Sequence, residues 1–161
     1  MDPKKIECVQ GWPRPKTVKG VRGFLGLTGY YRKFIEGYGK LAKPLTELTK
    51  KDNFLWNTVA EHAFTALKKC MTTAPMLALP DFKQTFVIEC DASGKGIEAV
   101  LMQMRRPIAY FSKALAESSL SKSVYEKKVM ALVLAVNHWK QYLMGRHFVI
   151  CTDRKALKHL L

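Results

Sequence analysis

Nowhere in its 161 residues does this sequence bring two cysteines together. Cys8, Cys70, Cys90 and Cys151 stand far apart and no C-x-x-C pair occurs. That spacing argues against a zinc site or a disulfide framework; it suits a reducing, intracellular setting with the four thiols as small core residues. Long apolar runs are missing as well. The longest, Val129 to Val136, is too short to cross a bilayer and continues as an amphipathic pattern, so no membrane partner is expected. No apolar core follows Met1-Asp-Pro-Lys-Lys, and no secretory signal is visible. Acidic residues are the third shortage: 13 stand against 27 lysines and arginines, for a net charge of +14. The excess is not a tail, since up to Pro80 there are 14 basic and 6 acidic residues and beyond it 13 and 7. A folded surface of this sign most often meets a polyanion, and nucleic acid is the commonest one.

What is present divides into two halves. The first reads as helical. Trp12-Pro-Arg-Pro is a stiffened lead-in, and Thr17 can cap a helix from Val18 with Val21, Phe24, Leu25 and Leu27 as its apolar stripe. Gly26 and Gly29 are expected to break or bend that helix before a short one at Tyr30 to Ile35, which Gly37 and Gly39 close. Leu41, Pro44, Leu45 and Leu48 suggest a third helix. From about Val59 to Met71 the residues Ala60, Ala63, Phe64, Leu67 and Met71 repeat at helical spacing.

The second half changes character after Pro75 to Pro80. Strands are expected at Phe86–Cys90, Ile97–Met102, Pro107–Ser112 and His147–Thr152. One long helix, about Lys122 to Met144, is expected before the fourth strand. Its stripe would be Tyr125, Val129, Leu132, Val133, Val136, Trp139 and Leu143, with Gly145 as its stop. A meander followed by a helical crossover implies a mixed sheet with packed helices, an α+β or α/β class. Two aspartates then fall at strand ends: Asp91 after the first strand, Asp153 after the fourth. A right-handed crossover would bring both to one sheet edge, where paired carboxylates favour a cation such as Mg²⁺. The same residues would equally serve as a turn and a helix cap.

Several ordered blocks resemble one family. Phe24-Leu-Gly-Leu-Thr-Gly-Tyr-Tyr-Arg-Lys-Phe-Ile35, Pro44-Leu45, Phe54-Leu-Trp56, Ala63-Phe64 and Ala74-Pro75 are similar to reverse transcriptases of Gypsy-type long-terminal-repeat retrotransposons. Cys90-Asp-Ala-Ser93, Ala99-Val-Leu-Met-Gln103, Pro107-Ile-Ala-Tyr-Phe-Ser112, Tyr142-Leu-Met-Gly145 and Thr152-Asp-Arg-Lys155 resemble the ribonuclease H part of the same Pol polyprotein. The resemblance implies thumb and connecting helices over residues 1–74 and a ribonuclease H-like domain, C-terminally incomplete, over 75–161. The polymerase motif Tyr-x-Asp-Asp is absent, so polymerization by this chain alone is not expected. Without the family's last strand and helix, an unpaired sheet edge is expected to favour aggregation.

In that family two metal ions, held by four acids, activate water and stabilise the leaving oxygen of the RNA strand. Asp91 matches the first acid and Asp153 the third. The second is the glutamate of an E-L-M-A helix segment, which here reads Lys128-Val-Met-Ala131. The fourth would lie past residue 161. Glu126 is no simple substitute, because two helical steps turn it about 200° around the axis. At about 4 Å and an effective dielectric of about 20, a pair of unit charges is worth roughly 4 kcal/mol, so a lysine there opposes metal binding. Glu98, where the family has glycine, is a second departure. The resemblance thus implies a chain without nuclease activity of its own, with weak Mg²⁺ binding or none. An active hybrid ribonuclease and a non-catalytic nucleic-acid adaptor are the alternatives. Its expected partners are RNA/DNA hybrid or duplex and the rest of the polyprotein. Arg22, Arg32 and Lys33, interleaved with Trp12, Tyr30 and Tyr31, are candidate phosphate contacts, with Tyr31 and Phe34 assigned to the core. Arg105-Arg106 fits a solvated turn equally well.

Overall fold

A computed structural model describes residues 3–73, 77–94 and 96–152. The chain divides into two compact units, Met1–Pro75 and Met76–Leu161.

The first unit is all helical: α1 (Pro3–Gln10), α2 (Val18–Tyr30), a 3-10 turn η1 (Arg32–Phe34), α3 (Tyr38–Glu47) and α4 (Thr58–Thr73). Thr17 caps α2, its hydroxyl oxygen accepting the Gly20 amide at 3.1 Å. Gly26 and Gly29 do not break the helix, contrary to the sequence expectation. α2 runs through both, and only the tighter turn of η1 follows. Gly37 does not close a helix either. It sits at φ 64 as the N-cap of α3, a left-handed position that suits a residue without a side chain. α1 has no counterpart in the sequence expectations.

Phe24 lies at the centre of this unit, fully buried between Trp12 (ring centroids 6.0 Å apart) and Phe64 (4.6 Å). The spaced residues of α4, Ala60, Ala63, Phe64, Leu67 and Met71, are all buried, as their periodicity requires. The proline-stiffened lead-in is strapped to α4. Lys68 Nζ donates to the Trp12 carbonyl at 2.9 Å, and Arg14 reaches Glu61 at 3.6 Å while lying 5.2 Å over the Trp56 ring.

Among the described residues the second unit holds a four-stranded sheet in the order β3-β2-β1-β4, from β1 (Phe86–Ala92), β2 (Gly96–Gln103), β3 (Arg106–Ala114) and β4 (Phe148–Thr152). The first three strands form an antiparallel meander and β4 joins β1 in parallel, which makes the sheet mixed. Three helices lie between β3 and β4 in sequence: α5 (Glu117–Leu120), α6 (Val124–His138) and α7 (Lys140–Leu143). The expected single long helix is therefore interrupted at Trp139, which caps both neighbours and is buried.

The face of α6 also differs from expectation. Tyr125 and Val133 are exposed, and the buried positions are Lys127, Ala131 and Ala135. Small residues let the helix lie close on β1 and β2, against Ile88, Cys90, Ala99 and Leu101. The thiols divide too. Cys90 is buried and Cys70 half-buried, but Cys8 and Cys151 are exposed, so those two are not core residues. Among the described residues no helix is long and apolar enough to cross a membrane.

Candidate functional site

Asp91 is the sixth residue of β1 and its carboxylate is exposed. One oxygen, Oδ1, accepts the Ala92 amide at 2.8 Å, which fixes the side chain against its own backbone. Across the antiparallel ladder its partner is Glu98 on β2. Directly opposed residues share a face of the sheet, so two acids meet where like charges disfavour the pairing. On the other side of β1 the parallel register sets Cys90 beside Thr152. The residues immediately preceding Asp91 and Asp153 are thus neighbours. Asp153 itself lies outside the described residues.

α6 packs over β1 and β2 and starts with a complete capping box. The Ser123 hydroxyl oxygen accepts the Glu126 amide at 3.2 Å, while Glu126 Oε2 accepts both the Ser123 amide and hydroxyl at 2.8 Å. These hydrogen bonds hold the Glu126 carboxyl below its usual range. The next position, Lys127, is buried at 7% exposure, and its ammonium donates to the Leu120 carbonyl at 2.7 Å. Lys128 follows, half-buried. The opening of this helix therefore holds one committed carboxylate and two cations.

Among the described residues, this donor set supplies too few free carboxylate oxygens for a pair of magnesium ions. Divalent magnesium takes hard oxygen ligands with several negative charges. Among the described residues no group of three or more His, Cys, Asp or Glu side chains gathers as a metal site. Cys90, beside Asp91, offers no thiolate either, since burial pushes its thiol up to about 11.

Arg22, Arg32 and Lys33 belong to the first unit and are exposed. Arg22 donates to the Thr49 carbonyl at 3.3 Å, and the Lys33 ammonium stands 5.1 Å over the Phe34 ring. Arg32 acts electrostatically on Tyr38, whose hydroxyl burial holds above its ordinary pKa despite the Thr28 hydrogen bond and this cation. Tyr31 is buried and Phe34 half-buried, whereas Tyr30 stands open to solvent at 76%.

Sequence reasoning missed the role of the α2 glycines. A Cβ on Gly20, Gly23 or Gly29 would meet Pro15, Trp12 or Tyr38 at 3.4–3.5 Å, so those three border the protein's own groups. A Cβ on Gly26 would meet nothing within 4 Å. Arg22, Gly26 and Tyr30 follow at four-residue steps on one exposed helix face, a flat strip with a cation at one end and a ring at the other. The period of three in the glycines was the signal available in the sequence.

Residues 56–150 match the family described as the RNase H-like domain found in reverse transcriptase. Over 161 residues the chain is 40% identical to the retrovirus-related Pol polyprotein from transposon 297 of Drosophila melanogaster, covering 99% of this chain and 15% of that protein. It is 34% identical over 170 residues to the Pol polyprotein from transposon gypsy of the same organism, covering 97% of this chain and 16% of that protein. Its fold matches a foamy viral protease-reverse transcriptase solved in complex with RNA/DNA hybrid, with a TM-score of 0.89 at 20% identity, over 99% of this chain and 22% of that one. The chain therefore spans about one sixth of the polyproteins it resembles.

Proposed function

Because the chain belongs to the RNase H-like domains found in reverse transcriptases, we propose that it serves a retrotransposon Pol protein by gripping nucleic acid rather than cutting it. The first unit corresponds to thumb and connecting helices, and the second to a ribonuclease H-like domain whose carboxylate site has lost its metal chemistry.

The observation that carries this reading is the opening of α6. Glu126 is tied to Ser123, and Lys127 and Lys128 follow it, with Lys128 at the place where the family carries its second acid. A cation at that place opposes the divalent charge that hydrolysis on Asp91 and Asp153 would need. Mg²⁺ binding is accordingly weak.

Gripping is assigned to the exposed strip of α2 and the η1 turn after it, with Arg22, Arg32 and Lys33 reaching phosphates and Gly26 permitting close approach of a sugar-phosphate backbone. The foamy viral relative in fold holds an RNA/DNA hybrid, which is the partner class proposed here. Such binding weakens steeply with salt.

The parallel register of Cys90 with Thr152 favours a second reading, an Mg²⁺-dependent hybrid ribonuclease built on Asp91 and Asp153. Incubating labelled RNA/DNA hybrid with the protein and Mg²⁺ separates the two. Binding without cleavage is expected. RNA cleavage that disappears in Asp91→Asn would establish the nuclease instead.

A further inference from the structure

Three segments converge at the end of the sheet where β1 and β4 begin and β2 ends. The first is the loop Asp81-Phe-Lys-Gln84 ahead of β1, the second the turn Met104-Arg105 between β2 and β3, the third Arg146-His147 ahead of β4. Gln103, buried at 3% exposure, fastens the first to the second. Its amide donates to the Asp81 and Gln84 carbonyls at 2.7 and 3.0 Å and accepts the Asp81 amide at 2.9 Å. Arg146 fastens the third to the first by donating to the Phe82 carbonyl and lying 5.1 Å over the Phe82 ring. Phe82 in turn stacks on Tyr142, centroids 6.0 Å apart and planes 15° from parallel.

Lys83, Arg105, Arg106 and Arg146 are exposed on this platform, and Asp81 is the one acid in the three segments. The turn is also unusual in its residues. Met104 and Arg105 both have positive φ, 48° and 60°. A two-residue hairpin of this hand favours Asn-Gly, which relieves the side-chain clash that Met and Arg retain. An arginine stands at a position where glycine would be less strained.

We propose that this cationic end of the second unit is a phosphate-contact surface for double-helical nucleic acid. It lies five residues, or about 17 Å, along β1 from Asp91. The inference rests on the nucleic-acid reading above and adds to it a second, separate footprint. Four cations spread over neighbouring strands span about 10–15 Å. A duplex carries a charge every ~1.7 Å of its axis, so several phosphates fall within that span whatever the register. Guanidinium groups suit them through paired N–H donors.

The test is fluorescence anisotropy of a labelled RNA/DNA hybrid on the full chain across a salt series. Arg105→Gln/Arg106→Gln is expected to lower the slope of log K against log salt by about 2, near 0.9 per lost contact. Met104→Asn/Arg105→Gly is expected to lower it by about 1 while raising the melting temperature, which a merely structural role for Arg105 would not do. Arg22→Gln/Arg32→Gln/Lys33→Gln serves as the comparison. If that triple variant lowers the slope and the turn variants leave it unchanged, the second footprint is wrong and the first reading stands. If the unaltered protein binds no hybrid, both fall. If polyglutamate occupies the turn surface and hybrid does not, the surface is a protein-docking site and the inference is overturned.

Discussion

Ser123 and Glu126 close on each other across the first turn of α6, each accepting the other's backbone amide. Nearly everything distinctive about the carboxylate end of the second unit follows from that pairing. It fixes where the helix starts, commits the Glu126 carboxylate to the cap, and leaves Lys127 and Lys128 as the following side chains.

Ser123→Ala removes one half of the box and is expected to lower stability by about 1 kcal/mol, read from denaturant midpoints. The pH dependence has a definite sign. The Glu126 carboxyl is held below its ordinary value of 4.5, chiefly by the backbone hydrogen bond with Ser123. Its contribution is therefore complete above 4.5 and is lost as pH falls through the lower, folded-state value. Glu126→Gln keeps a capping side chain but cannot titrate, so the melting temperature of that variant should flatten over this acidic interval. An unchanged acid profile would show that the box contributes nothing in solution.

On the proposed reading, Lys128→Glu puts a carboxylate where a cation opposes metal. Millimolar Mg²⁺ is expected to raise the melting temperature of this variant and leave that of the unaltered protein almost where it was. Equal stabilisation of both proteins by Mg²⁺ would remove the charge argument against metal binding.

Much of this arrangement was open to sequence reasoning, and the failures have physical causes. The strand order followed from a meander and one helical crossover, because those connections permit few topologies. The buried face of α6 did not follow. Lys127 is hidden there because its stem can pack while its ammonium reaches the Leu120 carbonyl, and Ala131 and Ala135 are hidden because close helix-on-sheet approach selects small residues. A hydrophobicity pattern instead chooses Tyr125 and Val133, which are exposed. Gly26 and Gly29 misled for a related reason: they were read as breakers, yet α2 runs through both and Gly29 borders the Tyr38 hydroxyl. The strand that carries Asp91 was legible, while Asp153 falls outside the described residues.

The thiols should differ sharply in reactivity. Cys8 and Cys151 are exposed, while burial raises the Cys90 thiol to about 11. Near pH 8 a thiol reagent is expected to label Cys8 and Cys151 first and Cys90 only as the second unit opens. A raised pKa keeps its stabilising contribution intact below the ordinary value of 9.0 and loses it as pH rises toward 11. Labelling of Cys90 as fast as Cys151 in the native protein, followed by mass spectrometry, would contradict its burial.

Gly26 offers the sharpest separation of stability from function in the first unit. It is a mid-helix glycine with open space around the missing Cβ, so Gly26→Ala relieves the backbone entropy of glycine and adds no clash. The helical unit should gain up to about 1 kcal/mol. A methyl group in the middle of the strip between Arg22 and Tyr30 also holds a backbone away from the helix, so hybrid affinity should fall in the same variant. Gly29→Ala is the control, because its Cβ meets the Tyr38 hydroxyl at 3.5 Å, an ordinary contact with the protein's own group, where Gly26 faces open space. Anisotropy and thermal melts on the two variants decide the matter. Stability rising together with undiminished binding in Gly26→Ala would mean that this face of α2 meets no nucleic acid.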